Sequence, residues 1–239
     1  MPGFTDIHCH MLSGTDDGAR DDAVMFDMLE AAYVGGTRCI CLTPHFNPML
    51  FGDNRERGAR AFDELCAYVR DKHPDMRLVL GNELYYHYGC IDSINDGRCR
   101  TLNGTRHVLV DFDFGASMAE MKRALVELLG AGYIPVYAHV ERYDAVKPPF
   151  RELEQLRDMG VVIQINSTSL CGGWGRKLQN KTAKLLRRCI PDIVASDAHS
   201  TGLRHPALNE CWQVLTDMCG EDYARALLCE NPAAMIGIN

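Results

Sequence analysis

The chain has 239 residues, 46% hydrophobic and 24% charged, a composition that excludes a disordered chain and is long enough to bury a sizeable core without staples. Its formal net charge of -7 argues against a nucleic-acid partner. The eleven cysteines form no Cys-x-x-Cys pair and read as thiols of a reducing cytoplasm, Met1-Pro2-Gly3-Phe4 lacks the apolar core of a secretory signal, and no apolar run approaches the roughly 18 residues of a membrane span.

Phe4-Thr5-Asp6-Ile7-His8-Cys9-His10 opens the chain as a strand, and a period of two puts His8 and His10 on one face. Two imidazoles presented together suit a divalent transition metal, although the pair alone leaves the reading open between metal ligands and hydrogen-bonded histidines. Asp21 and Asp22 open a helix carrying Val24, Met25, Met28, Leu29, Ala32 and Tyr33 at spacings of three and four, stopped by Gly35-Gly36. A second strand, Thr37 to Thr43, ends at Pro44-His45, and the polar stretch Asn47 to Asn54 reads as a loop. Arg55 to Lys72 is helical, Met76 to Leu80 is a third strand, and Gly81-Asn82-Glu83 follows it.

Asn95-Asp96-Gly97 and Asn103-Gly104 are turns, and Thr105 to Asp113 alternates as a fourth strand. Ser117 with Glu120 is a capping box for a helix ending near Gly130. A fifth strand, Tyr133 to Ala138, ends at His139. A helix from Pro149 to Met159 leads to a sixth strand, Val161 to Ile165, before Asn166-Ser167. A basic helix from Lys177 to Arg188 precedes the seventh strand, Asp192 to Ser196, which ends at Asp197-Ala198-His199. The tail is helical from Ala207. Strands alternating with helices and no linker predict one domain over residues 1–239 built from parallel βα units. A barrel follows better than an open sheet, because His8, His10, His45, Glu83, Asp111, His139, Asp197 and His199 all fall at or just past strand carboxyl ends, where βα barrels carry their chemistry.

Each of these residues has a bland alternative as a cap, a loop residue or a half-buried polar group. Together they are hard to dismiss, since ordinary strand ends favour Gly, Asn and Ser. Asp17, Glu83, Asp111 and Asp197 in one mouth would repel and be forced to protonate unless cations offset them. Two divalent ions neutralise them, and three leave positive charge that attracts a phosphate.

The ordered set Asp6-Ile7-His8-Cys9-His10, Thr43-Pro44-His45, Gly81-Asn82-Glu83, Ala138-His139-Val140-Glu141-Arg142-Tyr143 and Ala195-Ser196-Asp197-Ala198-His199 resembles the polymerase-and-histidinol-phosphatase (PHP) superfamily. The Glu141-Arg142-Tyr143 element and Gln164-Ile165-Asn166-Ser167 resemble its bacterial capsule-associated metal-dependent tyrosine phosphatases, over the whole chain. The resemblance implies a distorted seven-stranded (β/α)7 barrel, like a TIM barrel, holding two or three divalent ions, manganese first and iron, zinc or magnesium as alternatives. It assigns His8, His10, Glu83 and Asp197 to one ion, Glu83, Asp111 and His139 to a second, and Asp17, His45 and His199 to a third. Arg142 and Arg204 match the family's phosphate-binding arginines. The family carries Glu where this chain has Asp111, one methylene shorter.

Clustered divalent ions lower the pKa of bound water from 15.7 to about 7, providing hydroxide without a protein nucleophile. A phenolic leaving group of pKa about 10 needs little protonation. The implied activity is a cytoplasmic protein-tyrosine phosphatase acting on a bacterial autophosphorylating tyrosine kinase in capsule or exopolysaccharide regulation, with room for a homo-oligomer and no membrane insertion. The competing readings are a small-molecule phosphomonoesterase such as a histidinol-phosphate phosphatase, and a non-catalytic metal-binding module. Tyr85, Tyr86, Tyr88 and Trp174 are candidates to pack on a substrate ring. Cys219 and Arg225 have the Cys-x5-Arg spacing of thiol phosphatases, but the intervening carboxylates and helical pattern make Cys219 structural. Gly172 to Lys177 is glycine-rich and basic yet lacks the P-loop pattern.

Overall fold

β1 (Phe4–Cys9) is buried along its whole length, as a parallel strand covered on both faces must be. The computed structural model describes residues 3–206 and 208–238, so Ala207, where the helical tail was expected to begin, lies outside the described residues. α1 (Asp22–Val34) starts from Asp21, whose carboxylate accepts the Val24 N–H at 2.9 Å, and it buries Met25, Met28, Leu29 and Ala32. β2 (Thr37–Leu42) stops before Pro44, which has no N–H to donate, and the chain resumes as β3 (His45–Phe46).

The stretch expected as a plain loop contains α2 (Pro48–Phe51), with Pro at its first turn. After α3 (Arg55–Lys72) come β4 (Arg77–Leu80) and, beyond Gly81-Asn82, β5 (Glu83–Tyr85). α4 (Cys90–Asn95) and a 3-10 turn at Leu102–Gly104 precede β6 (His107–Asp111). α5 (Met118–Gly130) begins at the capping box: Ser117 Oγ accepts the Glu120 N–H at 3.3 Å, and Glu120 Oε2 accepts the Ser117 N–H at 2.8 Å.

β7 (Ile134–Tyr137), a 3-10 turn at Val140–Arg142, α6 (Arg151–Asp158) and β8 (Val162–Asn166) follow. Then come α7 (Ser167–Leu170), α8 (Arg176–Arg187) and β9 (Ile193–Ala195). The tail is α9 (Asn209–Cys219), α10 (Glu221–Arg225), a π-turn at Ala226–Glu230 and α11 (Asn231–Met235).

Among the described residues every strand pairing is parallel, in two sheets ordered β1-β2-β4 and β3-β5-β6-β7-β8-β9. The result is an α/β fold with a parallel sheet curled into a half-barrel. It differs from a single run of seven strands because short strands follow the second and third expected ones, β3 after Pro44 and β5 after Gly81-Asn82. The curl brings the first strand to the last: Asp197 N–H donates to His8 O at 2.8 Å and His10 N–H to Ala198 O at 2.9 Å. Residues 6 to 10 and 197 to 199 therefore lie side by side despite their separation in sequence. One apolar cluster, with Ile7, Cys41, Leu109, Val136 and Ile193, draws on five strands and anchors the sheet behind that junction. No described helix is long and apolar enough to cross a membrane, and all eleven cysteines are free thiols.

Candidate active site

Glu83, fully buried at the start of β5, is the centre of the cluster. Its Oε1 lies 3.2 Å from His8 Nε2 and 3.0 Å from His139 Nε2, and its Oε2 lies 3.2 Å from His10 Nε2 and 2.8 Å from His45 Nδ1. One carboxylate thus touches four imidazoles. Asp197 Oδ1 lies 3.4 Å from His8 Nε2 and 3.6 Å from His10 Nε2. Toward solvent, Asp17 Oδ1 lies 3.3 Å from His45 Nε2 and 3.4 Å from His199 Nε2.

Four groups bring one ligand atom per residue within 4.8 Å of one another: His10, Asp17, His45 and His199; His8, His10 and Asp197; His8, Glu83 and His139; His45, Glu83 and Asp111. The nine expected metal-site residues therefore converge, but the grouping shares His10 with the outer set and brings Asp111 to His45 as well as to His139, whose Nε2 is 3.7 Å from Asp111 Oδ1. Asp111 is also turned toward the protein, its Oδ1 accepting from Tyr143 Oη at 2.6 Å and from Phe112 N–H at 2.8 Å.

The polarity of the network fixes the tautomers. Asp197 can only accept, so Asn166 Nδ2 donates to it at 2.7 Å, and Asn166 Oδ1 accepts from Gln164 Nε2 at 2.7 Å. Gln164 Oε1 is then the acceptor, for His139 N–H and for His8 Nδ1, each at 3.1 Å. His10 Nδ1 likewise donates to Asp16 Oδ2 at 2.8 Å, an oxygen that also takes the His45 N–H at 2.8 Å. In the neutral imidazoles a metal ion would require, both Nε2 atoms are left as lone-pair donors, and they face each other at 3.0 Å among carboxylate oxygens.

Such a convergence of acceptors requires positive charge. Burial opposes it, but Glu83 and Asp197 raise the His8 imidazole to about 9, and Glu83 raises that of His45 in the same way. Against the same penalty, His8 and His45 hold the Glu83 carboxyl well below its usual range. Burial and the Glu83 charge raise Asp111, while burial and the neighbouring His10 push His199 down to about 4. Glu83 Oε2 and His199 Nε2 are buried and make no hydrogen bond despite their close ring and carboxylate neighbours. These imidazole and carboxylate ligands, aimed past one another, fit divalent transition-metal ions.

Two site residues sit in left-handed backbone, His139 at φ 34° and Asp197 at φ 52°, a conformation that non-glycine residues hold only when surrounding contacts enforce it. Two arginines share the Asp197 carboxylate: Arg142 Nη1 reaches Oδ2 at 3.2 Å and Arg204 Nη2 reaches Oδ1 at 2.6 Å. Both are partly open to solvent, 22% and 21% exposed.

Asp16, Gln164, Asn166 and Phe114 were not read as site residues from sequence. Gln164 and Asn166 alternate on β8, which was the available signal; Phe114 carried none. The Arg142 guanidinium lies 4.8 Å from the Phe114 ring centre and 5.9 Å from that of Trp174. Of the three tyrosines, Tyr86 is engaged with Glu127 at 2.6 Å, Tyr85 contacts Asp113 at 3.4 Å, and Tyr88 is fully exposed. Cys219 closes α9 with its thiol raised by burial, and Arg225 pairs with Glu221 at 2.8 Å, so neither forms an anion cradle.

The sequence model of the family described as capsular polysaccharide synthesis, CpsB/CapC, matches residues 4–237. The tyrosine-protein phosphatase CpsB of Streptococcus pneumoniae is 29% identical over 236 residues, 97% of each chain. The tyrosine-protein phosphatase YwqE of Bacillus subtilis (strain 168) is 30% identical over 231 residues, 97% of this chain and 91% of that one. A crystal structure from work on YwqE and CpsB, described as unique metal-dependent tyrosine phosphatases, superposes with a TM-score of 0.89 at 30% identity, covering 98% of this chain and 94% of that one. The phosphotriesterase homology protein of Escherichia coli shares the fold alone, with a TM-score of 0.64 at 12% identity over 98% of both chains.

Proposed function

The chain belongs to the capsular polysaccharide synthesis CpsB/CapC family of metal-dependent tyrosine-protein phosphatases, and from that premise we propose how its strand-end cluster hydrolyses phosphotyrosine in proteins. The observation that carries the reading is Glu83 in contact with four imidazoles, beside two arginines converging on Asp197. His8, His10, Glu83 and Asp197 would hold one ion, Glu83, Asp111 and His139 a second, and Asp17, His45 and His199 a third, with manganese the first choice. Divalent ions, when bound, supply the Lewis acidity that activates water and offsets phosphoryl charge.

The protein's own groups do the rest. Arg142 and Arg204, held side by side by their common carboxylate, present guanidinium forks to the phosphoryl oxygens and stabilise the charge that builds on them. Phe114 and Trp174 beside Arg142 offer apolar faces to the phenyl ring. Gln164, Asn166 and Asp16 keep the imidazoles oriented. The phenolate leaves with a pKa of about 10, so no dedicated general acid is needed. Counting β2 with β3 and β4 with β5 as one stave each would give the seven-stave barrel of a single phosphatase domain, which is the architecture we propose. Its proposed setting is the cytoplasm, acting on an autophosphorylating tyrosine kinase of capsule synthesis.

The test is turnover of a phosphotyrosine peptide, histidinol phosphate and a phosphodiester side by side by metal-loaded protein. Preference for the peptide is expected, with Arg142→Ala losing about 100-fold of its rate at unchanged metal content. Preference for histidinol phosphate, or a fully active Arg142→Ala protein, would overturn the reading.

A further inference from the structure

Next to Arg142 the surface opens into a cavity of about 510 Å³ that contributes no ligand to the metal-binding groups. Val146, Pro148 and Leu178 give it apolar walls, Trp174 stands at the side shared with Arg142, and lysines ring it. The lining carries Arg142, Lys147, Lys177, Lys181 and Lys184 against only Glu141 and Asp144, a local excess of positive charge in a chain of net charge -7. Lys147, Lys177 and Lys184 form no salt bridge among the described residues.

Lys181 is fastened in place, donating to Tyr143 O at 2.6 Å. Burial pushes its ammonium down to about 8; Glu141 and Asp144 oppose that push, while Lys177 and Lys147 add to it, so these cations are close enough to repel one another. Below about pH 8 Lys181 is charged and is answered by Glu141 and Asp144, which act on it more strongly than the two lysines; Lys147, Lys177 and Lys184 are left to meet an arriving anion.

The glycine-rich run that is not a P-loop has a place here. Gly172 at φ 87° and Gly175 at φ 86° turn the chain so that Trp174 walls the cavity, and Lys177 enters from the first turn of α8.

We propose that this cavity is a second-anion subsite for the substrate chain: with the phosphotyrosine at Arg142, it takes a carboxylate or second phosphate carried by a flanking residue of the same peptide. The proposal rests on the phosphatase reading and deepens it, giving the enzyme a preference for acidic or multiply phosphorylated tyrosine segments. The pocketed shape and apolar walls suit a side chain entering from a peptide better than a continuous polyanion, which would need an extended basic stripe.

The test compares kcat/KM for three phosphotyrosine peptides differing only in their flanks, which carry serines, two glutamates or a second phosphotyrosine, on the metal-loaded protein and on Lys177→Ala/Lys184→Ala. The small substrate p-nitrophenyl phosphate is measured alongside. The wild type should favour the anionic peptides about tenfold through KM at constant kcat, with the preference declining as salt is raised. The double variant should lose the preference while p-nitrophenyl phosphate turnover stays the same, and the two anionic arms separate carboxylate from phosphate as the favoured group. Equal kcat/KM for all three peptides, or a preference that survives loss of the lysines, overturns the subsite.

If p-nitrophenyl phosphate is not hydrolysed either, the phosphatase reading is what fails. The subsite is then judged by the fluorescence change of Trp174 on titration with the unphosphorylated acidic and neutral peptides, and identical curves overturn it.

Discussion

Gln164 shows how much of the site depends on a side chain that touches no phosphate. Its carbonyl oxygen accepts from His8 Nδ1 and from the His139 backbone, and its amide donates to Asn166, which holds Asp197. Gln164→Leu keeps the volume but removes the acceptor, freeing His8 to rotate or change tautomer. Metal affinity should fall about 10- to 100-fold, read by calorimetric titration of the apoprotein, with the fold retained. Unchanged affinity would mean that packing alone orients His8. The histidines and carboxylates were legible in the sequence because metal-competent side chains stand out at strand ends. Gln164 and Asn166 were legible only as a motif, since which amide faces which imidazole depends on a register between β7, β8 and β9 that no local pattern encodes. Phe114 was invisible for a similar reason: an aromatic after a strand is ordinary until Arg142 is found over its ring.

Among the elements, β1 and the loop behind it are the tightest part of the site. A Cβ on Gly18 would stand 1.9 Å from the His10 carbonyl oxygen, the same oxygen that accepts the Ala19 N–H at 3.0 Å. Gly18→Ala must therefore displace backbone beside His10 and Asp17. It should cost about 2 kcal/mol or more and lower Tm by roughly 4–8 °C, seen in thermal melts, with fewer ions bound per chain by elemental analysis. A melt matching the wild type would show that the loop yields without strain. Alternation and capping signals put the strands and the longer helices close to their observed bounds. α2 and α4 were missed because each is about a turn long; Phe51 stacks on His45 at 5.4 Å, and Cys90 and Ile94 are buried, contacts that local propensity does not report.

At the scale of the whole molecule, the curled sheet places residues 6 to 10 against residues 196 to 199. Asp6 secures the junction, its Oδ1 accepting the Ser196 N–H at 3.1 Å and its Oδ2 the Ser196 hydroxyl. The polar residues at strand ends implied this convergence. The strand ends at Pro44 and Gly81-Asn82 were legible, but the short strands that resume there, setting His45 and Glu83 in register with each other, were not. The central claim is that this assembled cluster, charged with metal ions, performs the hydrolysis and that no cysteine takes part. The most direct measurement is the phosphotyrosine-peptide rate before chelation, after chelation and after divalent ions are restored, in the wild type and in Cys219→Ser. The account expects activity to vanish with the ions and return with them, equally in both proteins; activity that survives chelation and dies with Cys219→Ser would contradict it.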